Sequence, residues 1–140
     1  MTVVRDSTMA RVGLLLHVCL ALIGCKAGVS SANVPPTGEV WFGASFDTTT
    51  FAITGRTSSV KVGAPFAAVA NIGKTVDGSA MNMRIYLDGT LLTTTGLSWT
   101  GSGDVWGWSP NPAYAAGSWR YELTDVGGNV LATGQIEATD

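Results

Sequence analysis

The sequence predicts an all-β domain, and three observations carry that prediction. From Glu39 onward, short runs rich in Val, Ile, Thr and aromatic residues are separated by Gly, Pro, Asn and Asp, and no stretch keeps a helical period. Met81, Met83, Ile85 and Leu87 alternate with Asn82, Arg84, Tyr86 and Asp88, the cleanest period of two in the chain. Asp88-Gly89 then divides this run from a second one at 90–94, and that pair favours a type I′ turn because both residues tolerate positive φ. Low charge, 13% of residues, and 18 glycines point the same way.

Ahead of the domain lies an apolar run at 12–23, preceded by Arg11 and closed by Gly24 and Cys25. A positive start, an apolar segment of about 7 to 15 residues and a small residue before the cut make a secretory signal, expected as a short helix. Met9-Ala10-Arg11 would make a conventional start for it as well. Two plainer readings stand beside a lipid-modified one. The run is short of the roughly 20 residues a retained spanning helix needs, and a secreted protein could carry Cys25 by accident.

Leu22-Ile23-Gly24-Cys25 resembles the lipobox of bacterial lipoproteins. The resemblance implies that Leu22, Ile23 and Gly24 are read by the processing machinery, that the Cys25 thiol takes a diacylglycerol, and that residues 1–24 are removed. Each buried methylene contributes about 0.8 kcal/mol, so two or three acyl chains would make Cys25 a stable membrane anchor. The expected location is the bacterial cell envelope, facing outside the cytoplasm. Lys26, not aspartate, follows the cysteine, and by resemblance to enterobacterial sorting this directs the expectation to the outer membrane where the host has two.

Residues 25–38 read as a flexible tether: 26–38 is small, polar and proline-bearing, with no apolar period. The domain is expected over 39–140. In 40–46, Val40, Phe42, Ala44 and Phe46 alternate with Trp41, Gly43 and Ser45, as in a strand with one buried face. Residues 51–54 continue it after a turn at Asp47, 59–62 form a short piece before Gly63, and 65–72 carries the small residues of a tightly packed interior strand. After the hairpin, 97–109 is the least readable stretch. Pro110, Pro112 and Gly117 bracket a loop. In 118–125, Trp119, Tyr121 and Leu123 face one way and Arg120, Glu122 and Thr124 the other. The last strand, 130–138, would turn Val130, Ala132, Gly134 and Ile136 inward.

Seven or eight short antiparallel strands at this spacing suit a single immunoglobulin-like or fibronectin type III-like sandwich. The closing unit Ala116-Gly117-Ser118-Trp119-Arg120-Tyr121-Glu122-Leu123, followed by Gly128-Asn129-Val130-Leu131-Ala132-Thr133-Gly134, resembles the final hairpin of bacterial Ig-like extracellular modules. The cysteine pair of antibody domains is missing.

Composition then bounds function. From Cys25 to Asp140 there are six basic side chains (Lys26, Arg56, Lys61, Lys74, Arg84, Arg120) and nine acidic ones (Glu39, Asp47, Asp77, Asp88, Asp104, Glu122, Asp125, Glu137, Asp140), which leaves −3. A nucleic-acid partner, which demands a basic patch, is not expected. Cys19 and the only histidine, His17, lie in the signal. A lipidated Cys25 leaves no internal disulfide. Without histidine the mature chain lacks the commonest general base and zinc ligand.

Trp99, Trp106 and Trp108 could form a platform on which sugar rings stack. Trp106 and Trp108 share a strand face by their spacing, and the simpler reading is that this face is core. Asp77, Asp88, Asp104 and Asp125 sit at loop or strand ends, where calcium likes carboxylates; none has calcium-loop spacing, and turn formation explains them more simply. No carboxylate pair stands out for catalysis. The sequence therefore predicts a non-enzymatic, lipid-anchored Ig-like domain that needs no cofactor and makes a structural or protein contact. The alternative is a lipid-anchored carbohydrate-binding module using exposed tryptophans.

Overall fold

A computed structural model describes residues 3–5 and 33–140. The signal run, Leu22, Ile23, Gly24, Cys25 and most of the expected tether lie outside the described residues. In chain order the strands are β1 (Val3–Arg5), β2 (Val40–Gly43), β3 (Ser45–Phe46), β4 (Ile53–Thr54), β5 (Ser59–Lys61) and β6 (Ala67–Asp77). A 3-10 turn, Gly78–Ala80, leads to β7 (Met81–Leu87), β8 (Thr90–Gly96), β9 (Ser102–Trp108), β10 (Gly117–Asp125) and β11 (Val130–Thr139).

Two sheets form the sandwich, in orders β1-β9-β6-β2 and β5-β11-β10-β7-β8. The chain crosses from β6 to β7, makes the β7–β8 hairpin, returns to β9, crosses again and closes with the β10–β11 hairpin. That path and order give an immunoglobulin-like fold, as the alternation predicts. One pairing departs from the expected antiparallel pattern: β5 runs parallel to β11, with Ser59 opposite Glu137 and Lys61 opposite Thr139.

The inward positions of both sheets supply the main core. Val40 and Phe42 of β2, Ala68, Ala70 and Ile72 of β6, and Trp106 and Trp108 of β9 meet Met81, Met83, Trp119, Tyr121, Leu123, Ala132, Ile136 and Ala138. Ile85 and Leu87 pack against it from half-buried positions. On the other face of the first sheet, Ala67 and Val69 join Phe51 and Ile53, flanked by Trp41, Phe46 and Val105, in a second cluster. The β3–β4 hairpin is thus a lid, and the β2-β6-β9 layer is buried on both faces. This is why 67–70 is built from three alanines and a valine.

The lid also explains where the 40–46 alternation fails. The strand stops at Gly43, Ala44 is exposed, and Phe46 enters the second cluster instead of the sandwich core. At Gly43 an added Cβ would lie 2.7 Å from both Ile53 and the Thr54 carbonyl, so only glycine lets the chain fold over there. Asp47 accepts from the Thr49 and Thr50 amides at 2.7 and 2.8 Å. Phe51, fully buried at a φ of 59°, stacks on Phe46 at 5.9 Å.

Asp88 and Gly89 have φ of 49° and 82°, the type I′ geometry expected of them. Val130 corrects the expected inward set: it is half exposed, because a bulge after Leu123 pairs Thr124 with Val130 and skips Leu131, shifting the phase by one. Residues 33–38, expected to end the tether, lie against the domain. Pro35 is fully buried, its carbonyl accepts from Asn71 Nδ2 at 3.0 Å, and Gly38 N donates to the Asn71 carbonyl at 2.7 Å.

Candidate functional site

The three tryptophans singled out by sequence do come together, in the core. Trp106 is 0% and Trp108 5% exposed. Trp99, partly buried, lies over both, 5.2 Å from the Trp106 ring at 26° and 5.4 Å from the Trp108 ring at 42°. Trp106 Nε1 donates to the Gly103 carbonyl at 3.1 Å, which satisfies its one polar group. Neither Trp106 nor Trp108 offers a ring face to solvent, so the spacing rule that put them on one face selected the packed side.

Three of the four aspartates brace the backbone, and the fourth, Asp104, has a buried Oδ1 with no hydrogen-bond partner. Asp77 Oδ1 accepts from Ser79 Oγ at 2.6 Å and from the Ser79 amide at 2.8 Å, capping the 3-10 turn; these two bonds hold its carboxyl below the ordinary value of 3.8. Asp125 is lowered in the same way by the Asn129 side chain and then its amide, at 3.0 and 2.9 Å. Asp88 Oδ1 accepts from the Ser118 amide at 2.8 Å and ties the β7–β8 turn to the start of β10. Among the described residues no group of three or more acidic, cysteine or histidine side chains could hold a metal ion.

A different constellation lies at the seam where the two sheets meet. An open cleft of about 380 Å³ is lined by Val40, Trp41, Phe42, Arg56, Thr57, Ser58 and Gln135. Trp41 stands on the outward parity of β2. The Arg56 guanidinium carbon sits 3.4 Å from the centroid of the Trp41 ring, a cation–π stack, and Trp41 Nε1 donates to Glu39 at 2.8 Å. The indole is therefore held from its edge and from one face.

Main-chain geometry makes the floor of this cleft polar. Thr133 N donates to the Gly38 carbonyl at 3.0 Å, and Glu137 N donates to the Ser58 carbonyl at 2.9 Å. Alternate residues of an antiparallel strand send their main-chain groups to the same side. Gln135, midway between those two, therefore turns its N–H and C=O into the gap between the Gly38 and Ser58 attachments. The cleft can engage a ligand that both donates and accepts, beside a guanidinium and an aromatic ring.

Gln135 is also the cross-strand neighbour of Arg120, which neighbours Tyr86. There a second stack forms, with the Arg120 guanidinium carbon 3.9 Å over the Tyr86 ring. Tyr86 Oη donates to Glu122 at 3.2 Å, and Glu122 pairs with Arg120 at 3.3 Å and Arg84 at 3.9 Å. The Arg120 contact is an ion pair without hydrogen-bond alignment, since its buried Nε has no hydrogen-bond partner. One solvent-facing strip thus runs from Arg56 and Trp41 through Gln135 to Arg120 and Tyr86. The available signal was parity: Trp41 and Tyr86 are large aromatics on the outward side of clean alternations.

No family model matches the chain, and no curated protein does. Among solved structures it is similar to a CARDB domain from Pyrococcus furiosus, in a solution NMR structure with 20% identity, a TM-score of 0.32, and 72% of this chain and 93% of that chain covered. A crystal structure of that domain in complex with di-metal ions has 16% identity and a TM-score of 0.33, covering 76% and 92%. The immunoglobulin-like assignment rests on this chain's own strand order.

Proposed function

We propose that the protein is a lipid-anchored component of a bacterial envelope whose Ig-like domain acts by binding another protein, not by catalysis. The anchor rests on Leu22-Ile23-Gly24-Cys25 closing a correctly sized apolar run. The single observation that carries the contact surface is the Arg56–Trp41 stack at the open seam, continued to Arg120 and Tyr86 by Gln135. Trp, Tyr and Arg are the residue types in which interfaces concentrate their energy. Stacked guanidinium groups are already ordered, so little rotamer freedom is lost when a partner covers them.

Cys25→Ser should abolish metabolic labelling with a palmitate analogue and release the protein from membranes; unchanged labelling sinks the anchor. For the contact, a photo-crosslinking residue at position 135 in intact cells should give discrete adducts that disappear in Trp41→Ala while circular dichroism is unchanged. Adducts that persist in Trp41→Ala would place the contact elsewhere. The glycan reading moves to the same seam, where the Trp41 ring adjoins the Thr57 and Ser58 hydroxyls. Binding on a glycan array that is lost in Trp41→Ala would favour it over the protein reading.

A further inference from the structure

β9 has an outer edge, on the side away from β6. In the full chain that edge is filled: Val3, Val4 and Arg5 pair antiparallel with Gly107, Trp106 and Val105, on the side opposite β6. The strand that fills it is only three residues long. It lies within the segment that removal of residues 1–24 would take away, so the inference rests on the lipoprotein reading for its setting. A three-residue strand is held by few hydrogen bonds, each of small net worth because water competes for the same groups. Once it is no longer tethered to the domain, its effective concentration at the edge falls from the millimolar range of a linked segment to that of a free peptide.

We propose that the edge of β9 in the processed protein is a docking site for an extended strand of another polypeptide, added antiparallel in the register that Val3–Arg5 occupies. The edge itself specifies the occupant. Gly107 lies under the ring of Phe46, which an added Cβ would approach to 2.5 Å, and Val105 packs into the lid cluster. An apolar margin therefore borders the edge on its outer face. Asp104, the one charged residue of β9, precedes the paired triplet. A β-branched, uncharged-to-basic strand satisfies both features, and Val-Val-Arg is such a sequence. Main-chain bonds supply the affinity of such strand addition, and alternate side chains supply its selectivity.

The test begins on the full chain. Trp106 turns its main-chain groups to Ala70 of β6, so Val105 and Gly107 face this edge and the Val3 and Arg5 amides enter the ladder. Arg5→Pro removes one of those amides and should open the edge without any processing. The β9 amides that face Val3–Arg5 should then exchange with deuterium faster by about tenfold or more, as expected for losing one or two net hydrogen bonds. A synthetic peptide with the sequence of residues 1–8 should restore their protection, and a scrambled peptide should not. Exchange unchanged by Arg5→Pro, failure of the peptide to restore protection, or dimerisation of the variant through β9 would each overturn the proposal. Protein purified from membranes should begin at Cys25 by mass spectrometry and take the peptide without the substitution. A chain still beginning at its original terminus would defeat the lipoprotein reading, and the Arg5→Pro arm would decide the edge by itself.

Discussion

At the scale of single residues, three buried side-chain polar atoms among the described residues have no hydrogen-bond partner, on Asp104, Arg120 and Thr124, and of these residues only Thr124 is itself buried. Thr124 is 1% exposed, and its Oγ1 has no hydrogen-bond partner. A buried hydroxyl without a partner costs roughly 1–3 kcal/mol relative to one left in water. Thr124→Val keeps the shape and the β-branching, and we expect it to raise the urea midpoint, with a gain of about 1 kcal/mol. Tyr121 makes the second case. Burial pushes its phenol from the usual 10.0 up to about 12. Because the folded value is the higher one, the domain keeps this part of its stability below pH 10 and loses it as the pH rises towards 12. Tyr121→Phe should flatten the alkaline limb of a denaturation profile between those values. An unaltered limb would assign the alkaline sensitivity to other groups.

At the scale of elements, what could be read from sequence followed from how many faces each strand buries. β7 and β10 bury one face, so polar and apolar residues alternate and the inside–outside assignment of Ile85, Trp119, Arg84 and Arg120 was visible. β9 belongs to a layer covered on both sides, and Ser102-Gly103-Asp104-Val105-Trp106-Gly107-Trp108 accordingly has no polar face to betray a period. The lid was illegible for the same reason, since its purpose is to cover a face that the sandwich pattern assigns to water. The seam was illegible because it joins β2, the β4–β5 connection and β11, far apart in sequence. β11 also crosses close to β2. A Cβ on Gly134 would collide with the Val40 carbonyl oxygen and lie 2.7 Å from Val40 Cβ. Gly134→Ala should therefore cost about 1–3 kcal/mol by overpacking, read as a lowered urea midpoint; an unchanged midpoint would mean that the sheets can part there freely.

At the scale of the whole molecule, the position of β11 governs when the domain can exist. It is the last strand of the domain to be synthesised, yet it lies inside its sheet, between β5 and β10. Its parallel partner Ser59 precedes Glu137 by 78 residues, and at a synthesis rate of about 5–20 residues per second it waits several seconds for that partner. Until residue 139 has emerged, β5 has no neighbour and the inward side chains of β10 lack Ala132, Ile136 and Ala138. Folding is then deferred until all of β11 has been made, and such non-local closure is slow in itself. A chain truncated after Asn129 should stay unfolded by circular dichroism; native-like β signal from it would remove the argument. Under the proposed export, late closure would leave the chain unfolded, and so able to thread through a channel, until its final strand is available.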